Sequence, residues 1–161
     1  AQGRMVAIAM TYELLHDGPG QLVALDKMLG RFARALAARD MAEGNAAQVK
    51  ADLAPIEVPA DIAVKIGLVV NELATNALKY AFIGRGPGTV SIVLRPAGAD
   101  GFTLQVSDDG AGMSPEPRRG FGMTVVDSLL RGIDARSEQL PGPGTGFLIT
   151  WHPRVPPTPE E

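Results

Sequence analysis

The sequence predicts an α+β fold, a two-layer α/β sandwich with a mixed, mostly antiparallel sheet and its helices on one face. Three observations predict it. The segments TVSIVLR (89–95) and FTLQVS (102–107) alternate apolar and polar residues and are joined only by the turn PAGADG. Such a link is too short for a crossover, so it makes the pair antiparallel. Residues 146–152 read as a further strand behind a glycine-proline turn. The order along the chain is two helices, a weak hairpin, a long helix, two strands, a helix and two strands, which suits a sheet covered on one side.

Residues 4–15 read as a helix with Met5, Ile8, Ala9, Tyr12 and Leu15 on one face, stopped by HDGPG at 16–20. A second helix spans about Leu22 to Ala42, its stripe running from Leu22 through Leu25, Leu29 and Phe32 to Leu36, and EGN at 43–45 ends it. Gln48–Leu53 and Ile56–Val58 read as a short hairpin broken at Pro55. Pro59–Tyr80 is the strongest helix, with Asp61 placed to help cap it. A helix at about 123–131 comes after the glycine-rich loop at 110–122, and strands at 134–139 and 146–152 close the domain. The chain thus divides into 1–20, a helical segment with its stop, a domain over 21–152, and a proline-rich tail over 153–161.

Composition narrows the function. The 161 residues carry 15 Lys plus Arg and 18 Asp plus Glu, a net charge of −3. No global basic field is present to hold a nucleic acid backbone. There are no cysteines, which removes thiolate metal sites and cysteine nucleophiles and fits a reducing, cytoplasmic setting. No apolar run approaches the ~20 residues of a membrane-spanning helix, so direct membrane insertion is not expected.

Chemistry concentrates in four places. On the long helix, Ala63, Ile66, Val70, Leu73, Ala74, Ala77 and Ala81 share an arc expected to face the sheet, while Lys65, Glu72, Asn76 and Lys79 lie opposite. Glu72 and Asn76 are four apart and Lys79 sits one turn on, so a carboxylate, an amide oxygen and an ammonium are expected to converge. Magnesium takes oxygen ligands and phosphate takes lysine, although a solvated helix face is an equally ordinary reading. The strand 102–107 runs into DDGAG at 108–112, where a carboxylate at a strand end accepts from a ligand amine and glycines let the ligand approach the backbone. GFGM at 120–123 opens a helix whose free N–H groups suit phosphate, with Arg118 and Arg119 just before it. GPGTGF at 142–147 is the last cluster; taken alone it is a hairpin turn. Neither a P-loop nor a dinucleotide fingerprint occurs.

Together these clusters resemble the Bergerat-type ATP-binding fold of gyrase, Hsp90, MutL and sensor histidine kinases. NELATNALKY (71–80) resembles its N box, DDGAG its first glycine box, GFGM its second, and GPGTGF its final G-x-G-T-x-F box. The N box with Ala81-Phe82 directly after it is similar to that of histidine kinases of the HisKA_2 type, and RMVAIAMTYELL at 4–15 resembles the end of their dimerisation helices, so the resemblance implies that 1–20 is the end of a helical segment of dimerisation type. Tyr12 and Tyr80 stand where that type has histidines, and the W-x-E of the related HWE group is absent.

The resemblance implies ATP and Mg²⁺ as cofactors, and roles for single residues. Asn76 would ligate magnesium, Lys79 would contact phosphate and Tyr80 would lie against the nucleotide. Asp108 would accept from the adenine amino group, Gly110 and Gly112 would shape the pocket, and Gly120 and Gly122 would hinge a lid. Thr145 would support the Asp108 end, and Glu72 would be the catalytic residue, orienting the attacking imidazole or a metal-bound water. The implied protein is the catalytic part of a bacterial sensor histidine kinase. Its partners would be the kinase's own dimerisation helices and a response regulator receiver domain. Neither His16 nor His152 lies in an acceptor motif, so the acceptor histidine is expected outside this chain. Two alternatives are an anti-sigma-factor serine kinase of the same fold and a non-catalytic phosphotransfer or adaptor protein with a decayed ATP site.

Overall fold

A computed structural model describes residues 21–82, 86, 88–110 and 121–154. The expected helix at 4–15, its stop at 16–20, most of the glycine-rich loop and the tail from 155 lie outside those residues.

The described chain runs β1 (Leu22–Ala24), α1 (Leu25–Ala42), β2 (Gln48–Leu53), β3 (Glu57–Pro59), α2 (Ala60–Asn76), β4 (Thr89–Ala97), β5 (Gly101–Asp108), α3 (Phe121–Gly132), β6 (Arg136–Leu140) and β7 (Gly146–Trp151). A π-helical turn, Ala77–Ala81, continues α2. Five strands form one sheet in the order β2-β4-β5-β7-β6, while β1 and β3 pair separately. Only the β2–β4 pair of the large sheet is parallel; β4–β5, β5–β7 and β6–β7 are antiparallel. The expected mixed, mostly antiparallel sheet is present.

Pairing overturns the expected hairpin at 48–58. β2 joins β4, with Val49 opposite Val90, and β3 joins β1, with Val58 opposite Val23. Pro55 separates two strands that belong to different sheets. Leu22 likewise belongs to β1, and the helix begins only at Leu25, whose N–H donates to the Ile56 carbonyl at 2.8 Å. Asp26 returns the contact by accepting the Ile56 N–H at 3.4 Å. At the start of α2, Asp61 sits in the first turn but makes no side-chain cap bond, so its contribution is to the helix dipole. The strand expected from Asp134 starts at Arg136, because Asp134 adopts φ +54° in the preceding turn.

One face of the sheet carries the core. Val90, Ile92 and Leu94 of β4, Phe102, Leu104 and Val106 of β5, and Ile149 and Trp151 of β7 are buried beneath the helices. The Phe102 and Trp151 rings stack with centroids 5.5 Å apart, and the Trp151 indole donates to the Ile133 carbonyl at 3.1 Å. Of the expected arc, Ala63, Ile66, Val70, Leu73 and Ala74 are buried, while Ala77, which opens the π turn, is only half-buried; Ile62 and Val69 are buried as well, because α2 packs against both α1 and α3. At Gly67 two side chains of α1 press against the α2 backbone. A Cβ there would lie 2.7 Å from the Phe32 ring and 3.2 Å from the Met28 methyl, so only glycine admits this approach. The central helix is thus fixed from three sides, and its C-terminal turn is presented at the end of the sheet where β5 finishes.

Candidate functional site

The site is built where the C-terminal end of α2 meets the C-terminal end of β5. Strand β5 is flanked on both sides, by β4 and β7, so its last residue is tightly located. That residue is Asp108. Its N–H donates to the Thr145 carbonyl at 2.8 Å. Its Oδ1 accepts from the Gly110 N–H at 2.9 Å and from the Thr145 N–H at 3.3 Å. Two backbone donors therefore fix one carboxylate oxygen, which sets the direction of the other. Gly144 lies directly over the Asp108 backbone: a Cβ on it would fall 1.8 Å from the Asp108 carbonyl oxygen. The GPGTGF segment is the β6–β7 hairpin turn, and it is also one wall of the Asp108 site.

Asp109 secures the other flank. Its Oδ1 accepts the Thr89 N–H at 2.7 Å while its own N–H donates to the Thr89 carbonyl at 3.2 Å. Sequence reasoning assigns Asp109 no role. The signal is present, since an Asp-Asp-Gly end allows one carboxylate to face the site and the next to bind the neighbouring strand.

On α2, Glu72 and Asn76 are half-buried and one turn apart. Lys79 and Tyr80 are exposed, Tyr80 at 60% of its surface. Both lie in the π turn, so the 100° phasing used for Lys79 stops at Asn76. The wider turn, a feature frequent at functional sites, resets the direction of the side chains beyond it. The helix thus brings Glu72 and Asn76 to one place by regular spacing and delivers Lys79 and Tyr80 by a different geometry. Asn71, first residue of the N box, is buried at 7% exposure and belongs to the packing of α2. Among the described residues no buried side-chain nitrogen or oxygen lacks a partner. Gly110 is buried beside Asp108, and Gly122 lies in the first turn of α3. Gly112, Gly120, Arg118 and Arg119 lie outside the described residues.

Among the described residues no three His, Asp or Glu side chains gather into a metal cage. Glu72 and Asn76 nonetheless supply two oxygen donors a helical turn apart, a set that fits a cation completing its shell with phosphate oxygens and water.

A sandwich whose inner strand ends in a backbone-clamped carboxylate, next to a helix end bearing oxygen donors and a lysine, defines a nucleotide-binding ATPase-type domain. Comparison with known proteins agrees. Residues 61–156 match the family model described as histidine kinase-, DNA gyrase B-, and HSP90-like ATPase, and the chain belongs to that family. It is an ATP-binding domain of the histidine kinase kind. It is 32% identical over 156 residues to blue-light-activated histidine kinase 2 of Erythrobacter litoralis, covering 91% of this chain and 44% of that protein. A blue-light-activated histidine kinase of Brucella anthropi is 37% identical over 75 residues, 44% of this chain and 15% of that protein. The histidine kinase domain structure from Erythrobacter litoralis superposes with a TM-score of 0.83 at 28% identity, covering 93% of this chain and 73% of that one. A mycobacterial sensor histidine kinase, at 19% identity and a TM-score of 0.66, shares the fold. The chain spans less than half the length of the curated relatives it matches. No helix among the described residues is long and apolar enough to cross a membrane.

Proposed function

We propose that this chain is the catalytic part of a two-component sensor histidine kinase of the HisKA_2 type. In this reading it binds ATP with magnesium and gives the γ-phosphate to a histidine on the kinase's dimerisation helices, for relay to a response regulator in the cytoplasm. The observation that carries the reading is the Asp108 carboxylate, held by Gly110 and Thr145 with Gly144 pressed against its backbone. That arrangement favours recognition of a flat base with an exocyclic amine. The carboxylate accepts the amine hydrogen, and the absent side chains leave room for the ring.

Asn76 would hold magnesium, with Glu72 a turn away to orient the attacking imidazole or a magnesium-bound water. Magnesium, once bound, neutralises charge on the transferring phosphoryl group. Lys79 would meet the phosphates, and the exposed Tyr80 ring would lie against the nucleotide. Gly110 and Gly112 would shape the pocket, Gly120 and Gly122 would hinge the cover over the phosphates, and Thr145 would keep Asp108 in register.

The test is phosphotransfer in trans. The chain is incubated with γ-labelled ATP, magnesium and a separately made dimerisation segment of a HisKA_2-type kinase bearing the acceptor histidine. Acid-labile, base-stable label on that segment is the expected result. Acid-stable label on serine would point to the anti-sigma-factor kinase class, and failure to bind ATP would point to a decayed site.

A further inference from the structure

The face of α1 turned away from α2 meets β2 in an open groove that the ATP-binding reading does not use. We propose that this groove takes an extended acidic peptide segment of a partner protein, which adds to β2 as a new strand. The cavity measures about 740 Å³ and, among the described residues, is lined by α1 and β2. Its floor is small and apolar, with Gly30, Ala33 and Ala37 from the helix and Val49, Ala51 and Leu53 from the strand.

Strand β2 is an end strand of the five-stranded sheet. The N–H groups of Gln48 and Ala54 point to β4, donating to Gly88 and Leu94 at 2.9 and 3.0 Å. Strand alternation therefore turns the backbone of Val49, Ala51 and Leu53 outward, to an edge that no described strand pairs. The N–H of Ala47, which shares that outward parity, is already taken by the buried Asp40 carboxylate at 3.1 Å. The edge is thus closed at one end and open over the next three outward positions, the footprint of a short added strand.

Charge selects the occupant. Lys27, Arg31 and Arg34 are exposed along the helical rim of the groove. The one acid lining it among the described residues, Asp26, is engaged with the Ile56 N–H. Three cations beside an open edge favour carboxylates on the side chains of the added strand.

Gly30 gives an independent indication. A Cβ there would meet Arg34 at 3.7 Å and Leu53 at 3.9 Å, ordinary contact distances. The fold therefore does not require glycine in the middle of α1, where it costs about 1 kcal/mol relative to alanine. What glycine does accomplish is to keep the groove floor open.

The test uses the full chain and a fluorescein-labelled octapeptide of alternating Glu and Val, with a Lys/Val octapeptide as counterpart, read by anisotropy. The Glu/Val peptide should bind at least about tenfold more tightly, and the preference should shrink at high salt. Binding should slow amide exchange at Val49, Ala51 and Leu53. The double variant Arg31→Glu, Arg34→Glu, confined to exposed residues, should weaken binding by about tenfold or more and leave ATP-analogue affinity unchanged. Gly30→Phe should abolish it, whereas Gly30→Ala should raise the Tm and leave the chain folded. Equal binding of the two peptides, or full binding by the charge-reversed chain, would overturn the proposal. So would a peptide-free dimer that Gly30→Phe converts to monomer, which would assign the groove to a second copy.

Discussion

Replacing Gly144 by alanine isolates the contact on which the Asp108 site depends. The new Cβ would sit 1.8 Å from the Asp108 carbonyl oxygen and 2.8 Å from its carbonyl carbon. Both obstacles are backbone atoms of an inner strand and cannot rotate away, so the β6–β7 turn must lift by roughly 1.6 Å to reach ordinary contact at 3.4 Å. At that displacement the bonds from Asp108 N–H to Thr145 and from Thr145 N–H to Oδ1, now 2.8 and 3.3 Å, are both lost. A neutral hydrogen bond contributes about 1 kcal/mol and one to a carboxylate about 1.5–3 kcal/mol. Water reaches this half-exposed site and offsets part of the loss, leaving a destabilisation of about 2–3 kcal/mol. For a domain of this size that lowers the Tm by about 5–10 °C. Without Thr145 to aim it, Asp108 should also bind an ATP analogue at least about tenfold more weakly. Thermal unfolding and titration calorimetry read the two effects. Gly86→Ala is the control, since a Cβ there meets nothing within 4 Å. A Gly144→Ala protein with the Tm and affinity of the control would refute the close approach and the role given to Thr145.

The same geometry sets three further outcomes. Asp108→Asn should weaken ATP-analogue binding by about tenfold or more, because the amide presents donors where an acceptor is needed; calorimetry showing unchanged affinity would remove the adenine assignment. Asn76→Ala should keep stability within about 0.5 kcal/mol, being half-buried at a helix end, yet lose the gain in affinity that magnesium gives the wild type. An equal magnesium effect in the variant would assign the metal elsewhere. Gly67→Ala sets a helix-propensity gain of about 1 kcal/mol against overpacking of about 1–3 kcal/mol on Phe32 and Met28. The urea midpoint should fall while nucleotide affinity of the folded protein stays the same, and a raised midpoint would mean that α1 yields freely.

What the sequence disclosed and what it withheld divide along a physical line. Helix α2 and the β4–β5 pair are legible because their patterns are local: an apolar arc repeating every turn, and alternation across a tight turn. The pairing of β2 is not, because its partner β4 lies some forty residues on, beyond a helix, while Ile56–Val58 stands nearby as a plausible mate. Leu22 extends the apolar stripe of α1 at helical spacing, yet pairing with β3 draws it into a strand. Of the site, Asp108, Glu72 and Asn76 are readable from position within their elements. The π turn that displaces Lys79 has no compositional mark, and the clamp of Gly144 on Asp108 joins residues that only the sheet order brings together.

The double anchoring of β5's end has a kinetic consequence. Asp108 is tied to the β6–β7 turn and Asp109 to the start of β4, so this end of β5 is released only when neighbouring strands part. Its amides should exchange with solvent on the timescale of global unfolding rather than of local fluctuation. If the proposed function holds, substitutions at Asp108 would alter how firmly a base is held, whereas those at Asp109 would act through the pairing of β5 with β4.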